Sequence, residues 1–125
     1  MDAESDRVRL KRAYEPASPE DGTRVLVERL WPRGVSKAEA ALDDWMKEVA
    51  PSAGLRKWYG HEVDRWPEFR RRYREELAGH GAAVAALRQK AGAGRLTLVF
   101  AAEHSSAAVL RDVLTGADPE AGAGA

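Results

Sequence analysis

The chain has 125 residues, with 20 Lys and Arg against 20 Asp and Glu, 44% hydrophobic residues and no cysteine. The net charge of zero disfavours a domain that binds nucleic acid through bulk charge, and the lack of cysteine excludes disulfides, thiolate metal sites and cysteine nucleophiles. The length suits one domain with a substantial core.

The two ends of the chain differ from the segment between them. We expect residues 1–6 to form a flexible acidic N-terminus, residues 7–115 a single α/β domain, and residues 116–125 a flexible tail of low complexity. The first six residues lack the apolar stretch of a signal peptide, and no apolar run approaches the ~20 residues that span a bilayer. We therefore expect a cytoplasmic protein with no membrane partner.

The first part of the chain predicts two strands. Residues 7–14 alternate apolar and basic side chains, which is typical of a strand with one wet face near a sheet edge. Turn-forming residues follow at 16–22 (PASPEDG). Residues 24–28 (RVLVE) then predict a strand whose apolar centre is buried on both faces.

Helical signals begin after residue 34. Ser36 is a good N-cap and Glu39 completes a capping box, so a helix is predicted from Lys37 to Leu42. Residues 42–49 fit either a continuation of this helix or a short strand, and the pattern leaves both open.

The middle of the chain predicts two more helices. One starts at residues 51–52 (PS) and ends at Gly60, and Asp64 is predicted to cap the next, with Pro67 in its first turn. The apolar stripe of this second helix consists of Trp66, Phe69, Tyr73 and Leu77.

The last third predicts a helix, a strand and a helix. Residues 96–100 (LTLVF) are apolar on both faces, as a central strand covered by helices would be. Residues 103–106 (EHSS) predict a loop and cap, followed by a helix from about Ala107 to Leu114. Strands separated by helices predict an α/β fold, a single three-layer domain with a small, mostly parallel sheet.

Candidate ligand-binding residues follow two of the predicted strands. Ligands of open α/β sheets gather at the carboxyl ends of the strands. The loop after the second strand contains Arg29, Trp31 and Arg33, and arginine forks suit phosphate or carboxylate. The loop before the last helix contributes Glu103, His104 and Ser105. If the two strands are neighbours, these side chains and the first N–H groups of the helix converge on a small anionic ligand.

Ordinary structural roles fit the same residues. In these roles, Arg33 would form a surface ion pair, Trp31 would pack against the core, and Arg29 would pair with a buried carboxylate. The candidate partners of Arg33 in such a pair are Asp43, Asp44 and Glu28.

A second candidate segment is residues 55–61 (LRKWYGH). Arg56 is a further candidate for ligand binding, and His61 and His104 are candidates for a general acid or base. Before a helix N-terminus, His104 would favour its neutral form. The alternative places Trp58 in the core, Arg56 on a solvated face and His61 in a capping role.

The arginine-rich stretch at residues 65–74 admits a nucleic-acid interpretation. Most of its arginines have acidic neighbours three or four residues away, which favours a solvated helix face of paired charges. No ligand spacing supports a metal site, and the sequence leaves any cofactor unknown.

Three motifs together resemble the DUF488 family, specifically its YeaO-like branch: residues 27–37 (VERLWPRGVSK), 45–52 (WMKEVAPS) and 55–61 (LRKWYGH). The likeness covers roughly residues 8–114. It implies a small bacterial and archaeal α/β domain of uncharacterised function, and thus supports the fold and the position of the site.

One departure from the family lies at the start of the last helix. His104 matches the family's histidine, but the family's Asn-Asn-Ala step reads SSA here, at residues 105–107. A role that needs the asparagine amide therefore does not carry over to this chain.

Three functions fit these observations. The first is a pocket for a small phosphate- or carboxylate-bearing ligand, in which His61 or His104 would move a proton if the protein is an enzyme. The second is a nucleic-acid-binding or regulatory module that uses the arginine-rich helix. The third is a protein-interaction or dimerisation domain. The neutral charge counts against the second, and the third has no positive feature beyond the four tryptophans, most of which we expect in the core, so we favour the first. The sequence leaves the oligomeric state open.

Overall fold

The computed structural model describes residues 7–60, 62–101 and 104–116, and for residues 104 and 105 the backbone alone. Over these residues the chain forms a four-stranded sheet and five helices. The sequence predicts flexibility for residues 1–6 and 116–125, and all of these except Gly116 lie outside the described residues.

The sheet is small and parallel. Its strands are β1 (Val8–Arg12), β2 (Thr23–Leu26), β3 (Asp44–Trp45) and β4 (Leu96–Phe100), in the order β1-β4-β2-β3. Strand β4 lies in the interior of the sheet and is buried at every position, and β1 lies at an edge, as the two patterns predicted. The α/β fold with a small parallel sheet is confirmed.

Four helices cover one face of the sheet, and a shorter one lies near the other. The helices are α1 (Lys37–Ala40), α2 (Ala53–Tyr59), α3 (Trp66–Ala78), α4 (Gly81–Ala93) and α5 (His104–Thr115). Helices α2 to α5 pack apolar side chains against Val8, Val25, Leu96 and Leu98 of the strands. The predicted stripe of α3 is confirmed, because Phe69, Tyr73 and Leu77 are buried and Trp66 packs beside them.

A buried polar network covers the opposite face. The Asp21 carboxylate accepts hydrogen bonds from Arg24 at 2.6 Å and from Lys11 at 3.1 Å, and Thr97 donates to the Asp21 carbonyl at 2.7 Å. Two nitrogens of Arg24 donate to the carbonyl of Ala40, at 2.8 and 3.1 Å. The network ties the connection between β1 and β2, and the end of α1, to the sheet.

Helix α1 ends earlier than predicted. Its capping box between Ser36 and Glu39 is confirmed, but Ala41 adopts a left-handed φ of 46°, so the helix stops at Ala40 and does not reach Leu42. The chain then joins the sheet edge, where the Asp43 amide donates to the Arg24 carbonyl at 2.8 Å. Residues 42–49 accordingly form strand β3 and a 3-10 turn, not a continued helix.

The starts of α3 and α5 also differ from the predictions. Asp64 does not cap α3, because it lies within a 3-10 turn (Val63–Arg65) that leads directly into the helix. Pro67 occupies the first turn, as predicted. Helix α5 begins at His104, not near Ala107, so the two serines that follow lie inside its first turn. Burial of Ser106 on the inner face of the helix outweighs the tendency of serine to cap.

A glycine marks the closest approach of two backbone segments. Gly22 has a φ of 65°, and an added Cβ would collide with the Arg95 carbonyl oxygen, which also accepts the Thr23 amide at 2.9 Å. We expect Gly22→Ala to lower the free energy of unfolding by about 2 kcal/mol in urea denaturation. Gly54→Ala in α2 is the control, since a Cβ there meets open space. Equal effects of the two substitutions would contradict this account.

Candidate functional site

The carboxyl ends of β2 and β4 lie side by side, as the sequence argument required. The Val27 amide donates to the Val99 carbonyl at 3.0 Å, just beyond β2. One step further, the Ala101 amide donates to Oε2 of Glu28 at 2.8 Å. The loop after β2 and the approach to α5 are therefore joined at one edge of the sheet.

Arg29 holds the segment that leads into α2. Its Nε donates to the Pro51 carbonyl at 2.8 Å, and a terminal nitrogen donates to the Ala50 carbonyl at 3.1 Å. Arg29 thus binds backbone carbonyls and not a buried carboxylate, which was the alternative role considered for it from the sequence.

Trp31 locks the loop after β2. Its indole N–H donates to the Val35 carbonyl at 2.6 Å, and its ring meets that of Trp45 edge-on, with centroids 5.5 Å apart. The Trp45 indole in turn donates to the Glu28 carbonyl at 2.6 Å. The packing role considered for Trp31 is observed.

Arg33 is exposed at the same edge. It has no hydrogen bond or ion pair with any residue that the structure describes, so the predicted pairs with Asp43, Asp44 or Glu28 do not form there. Its neighbour Gly34 lines a recess of about 450 Å³, together with residues 13–17 and part of α1. Arg33 is therefore a cation beside that recess with no partner among the described residues.

A smaller cavity lies between the ends of β2 and β4 and the helices. It has a volume of about 10 Å³, and its polar lining consists of Glu28, Arg56, Tyr73 and Ser106. This volume is about that of one water-sized group. We call it the Ser106 cavity.

The Ser106 cavity contains a loosely paired arginine. A terminal nitrogen of Arg56 lies 3.8 Å from Oε1 of Glu28, which is an ion pair but too long for a hydrogen bond. The Arg56 side chain is 31% exposed, and it has no hydrogen bond to any residue in the described part of the chain. Its N–H donors are therefore available to a ligand.

Ser106 is 5% exposed, and its hydroxyl oxygen is buried without a hydrogen-bond partner in the described structure. Most buried polar groups in proteins are hydrogen-bonded, so this one needs an explanation.

Tyr73 stands beside Ser106 in the lining of the cavity and donates its own hydroxyl to the Val49 carbonyl at 2.5 Å. Burial raises the pKa of Tyr73 far above its ordinary value, and Glu76 and Glu28 raise it further, so the phenol stays protonated.

The remaining predicted residues are not all described. His61 and Glu103 lie outside the described residues, and His104 and Ser105 are placed by backbone alone in the first turn of α5. Of the residues predicted to bind or react with a ligand, Arg56 is therefore the one that the described structure places in the Ser106 cavity.

Sequence reasoning missed three polar residues of the cavity, namely Glu28, Tyr73 and Ser106. Tyr73 was assigned only to the apolar stripe of its helix. Glu28 was considered only as a partner of Arg33, although a carboxylate directly after an apolar strand is itself a signal. Ser106 shares helical spacing with Val109, Leu110 and Val113, which predicts the buried face of the last helix.

The arginine-rich helix has the predicted paired face. Glu68 binds Arg71 at 2.6 Å and Arg72 at 2.7 Å, and Arg71 also pairs with Glu75 at 3.2 Å. Hydrogen bonds from Arg71 and Arg72 lower the pKa of Glu68 to about 2. The Arg72 guanidinium further lies 4.2 Å from the Trp58 ring centroid. These arginines are therefore engaged within the protein.

Two further searches cover only the described residues. Within residues 7–60, 62–101 and 104–116, no group of three or more His, Asp or Glu could hold a metal ion. None of the helices in those ranges is long and apolar enough to cross a membrane.

Comparisons with known proteins agree with the motifs. The sequence model of a family described as "Inactive DUF488-N3 subclade" matches residues 7–122. The uncharacterized protein Rv3073c of Mycobacterium tuberculosis is 48% identical over 113 residues, which cover 88% of this chain and 95% of that protein. The uncharacterized protein YeaO of Escherichia coli is 44% identical over 110 residues, 86% of this chain and 96% of its own. No solved structure matches.

Proposed function

The chain belongs to the DUF488 family. Because the subclade that it matches is described as inactive, we propose that the protein binds a small anionic ligand at the carboxyl edge of its sheet without converting it. The expected ligand carries phosphate or carboxylate. The observation that carries this proposal is Arg56, a partly buried guanidinium with no hydrogen bond in the described structure.

The surroundings of Arg56 favour an anion. Arginine presents N–H donors in a planar fork that matches two oxygens of a phosphate or carboxylate. Helix α5 begins at the same edge, and the first N–H groups of a helix lack intrahelical partners and carry partial positive charge. A bound oxyanion would satisfy both sets of donors.

The other predicted residues take supporting roles in this proposal. Arg33, exposed at the same edge, would contact the distal part of a larger ligand. His61, His104, Glu103 and Ser105 stay candidates on the sequence pattern, as ligand contacts instead of proton-transfer groups. Arg29 and Trp31 hold the loop in place.

Calorimetric titration tests this function. The purified chain is titrated with phosphate, sulfate and acetate at neutral pH and low ionic strength. We expect at least one of these anions to bind, and Arg56→Gln to weaken that binding about tenfold or more, because hydrogen bonds to charged groups are strong.

Arg9→Gln is the matched control, since Arg9 is exposed near the amino end of β1, away from the carboxyl ends of the strands. Binding of no anion to the wild type, or equal effects of the two substitutions, would overturn the proposed function.

A further inference from the structure

The backbone of Arg56 is fixed by the residue that caps its helix. The Arg56 amide donates to the Ser52 carbonyl at 3.0 Å, and the Leu55 amide donates to the Ser52 hydroxyl at 3.1 Å. Ser52 is thus the N-cap of α2, one turn before Arg56. A displacement of Ser52 would therefore be passed directly to the backbone of Arg56.

Glu76 of helix α3 binds this cap through both oxygens of its carboxylate. Oε1 of Glu76 accepts the Ser52 amide at 2.8 Å, and Oε2 accepts the Ser52 hydroxyl at 2.6 Å. Hydrogen bonds to a carboxylate are stronger than those between neutral groups. A chain of hydrogen bonds consequently runs from Glu76 through Ser52 to the amide of Arg56.

The segment before the cap is held by other side chains. Tyr73 and Arg29 donate to the carbonyls of residues 49–51. Those contacts end before the helix begins, whereas Glu76 contacts Ser52, which is the N-cap of the helix itself. Glu76 is therefore placed to set the position of the first turn of α2.

Helix α2 is too short to fix its first turn without such a contact. It has seven residues (Ala53–Tyr59), and Gly54 lies in its first turn. Isolated helices of this length are marginal in water, and glycine weakens them further. Leu55 and Tyr59 are buried and hold one face of α2 in the core, but the Arg56 side chain is 31% exposed. The position of Arg56 thus depends on the cap as well as on packing.

We infer that Glu76 is a positioning residue of the anion site, which fixes Ser52 and thereby holds Arg56 where its donors reach the ligand. This inference rests on the proposed function. Glu76 is not among the residues that line the Ser106 cavity, so it acts through Arg56 and not by touching the ligand.

The charge of Glu76 makes the expected effect of Glu76→Gln specific. By charge alone, this substitution would strengthen the binding of an anion, because it removes a negative charge from the protein. By position it weakens binding, because the glutamine side chain has one acceptor oxygen where Ser52 donates to two. The two effects have opposite signs, so the direction of the change identifies the cause.

Calorimetric titration of the full chain at neutral pH and low ionic strength tests the inference. The probe is whichever of phosphate, sulfate and acetate binds the wild type most tightly. We expect Glu76→Gln to weaken that binding about fivefold, since one charge-assisted hydrogen bond to the cap is lost.

Glu75→Gln is the matched control. It removes the same charge from the adjacent position of α3, where the exposed Glu75 pairs with Arg71. It should not weaken the binding of the anion. Equal weakening by Glu75→Gln and Glu76→Gln would overturn the inference.

Two substitutions of Ser52 test the same contact from the other side. Ser52→Ala removes the hydroxyl that donates to Glu76 and accepts from Leu55, and it should weaken anion binding. Ser52→Thr keeps a hydroxyl that can cap the helix, and it should restore most of the affinity. Equal losses for the alanine and threonine variants would contradict the inference. This pair decides the question even if Glu76→Gln does not fold.

Combination with Arg56→Gln shows whether Glu76 acts through Arg56. If it does, Glu76→Gln should have little further effect on affinity in protein that already carries Arg56→Gln, because the two residues are coupled. A general loosening of the fold would instead weaken binding by the same factor in both backgrounds, and that result would refute positioning by Glu76.

The outcomes separate this inference from the proposed function. If none of the three anions binds the wild type, the proposed function fails and the inference fails with it. If the wild type binds an anion and Glu76→Gln binds it as tightly, positioning by Glu76 is wrong while anion binding stands.

Discussion

We expect Asp21→Asn to lower the free energy of unfolding by about 3–5 kcal/mol, the usual effect of breaking a buried ion pair from one side. Asp21 is fully buried, and Arg24 is 3% exposed. The substitution keeps the shape of the side chain but leaves the Arg24 charge, and that of Lys11 beside it, without a counter-ion. Urea denaturation of both proteins at neutral pH measures the difference.

Two variants control this prediction. Asp64→Asn removes an exposed carboxylate that caps no helix, and it should change the stability by less than ~0.5 kcal/mol. Adding Arg24→Met to Asp21→Asn removes both charges of the pair, and this double variant should regain a large part of the loss. A loss of the same size for Asp64→Asn would refute the assignment of the effect to the network.

The effect of Asp21→Asn should depend on pH. Burial raises the pKa of Asp21, but hydrogen bonds from the Ser18 amide, Lys11 and Arg24 outweigh it and hold the pKa below the ordinary value of 3.8. A carboxylate whose pKa is lowered by folding stabilises the protein above its unfolded-state pKa, and this contribution is lost as the pH falls through the folded-state value. The stabilities of wild type and variant should therefore converge below about pH 3.8. A constant difference down to acid pH would contradict this.

The sequence predicted those strands and helices whose hydrophobic pattern is contained within the element itself. The apolar run at residues 96–100 predicted the buried strand β4, and the spacing of Phe69, Tyr73 and Leu77 predicted the face of α3. Boundaries depended on contacts between distant residues. Helix α1 ends at Ala40 because the Asp43 amide pairs with the Arg24 carbonyl of β2, and no signal near residue 41 announces this contact.

The sequence predicted the position of the candidate site better than it predicted which residues line it. The carboxyl ends of β2 and β4 are adjacent, as expected, and Arg56 lies there. Arg29 has the charge for an anion site, but its donors serve the carbonyls of Ala50 and Pro51, which are 21 and 22 residues further along the chain. Only the three-dimensional path of the chain separates an arginine that positions a loop from one that faces a ligand.

The two faces of the sheet differ in role, because one stabilises the fold and the other contains the proposed binding site. On one face, the Asp21 carboxylate accepts hydrogen bonds from Lys11 and Arg24, so its charge stabilises the fold. On the helical face, the Glu28 carboxylate and the Arg56 guanidinium stay 3.8 Å apart, and Ser106 has no hydrogen bond in the described structure. Binding of a ligand there would give Arg56 and Ser106 the hydrogen bonds that they lack in the described structure.

An aromatic cluster supports the helix that carries Arg56. The Phe69 ring lies 4.5 Å from that of Tyr59 at the end of α2, and 5.7 Å from that of Trp66. Phe69 is 1% exposed. The position of α2, and so of Arg56, depends on this ring in the centre of the cluster.

We expect Phe69→Ala to lower the free energy of unfolding by about 3–5 kcal/mol, because it removes buried apolar surface and leaves a cavity between α2 and α3. Leu30→Ala, at a side chain that is 78% exposed, is the control and should have little effect. Where Phe69→Ala still folds, its affinity for phosphate should also fall, since α2 can then move relative to α5. Loss of stability with unchanged phosphate affinity would show that the aromatic cluster holds the core but does not position Arg56.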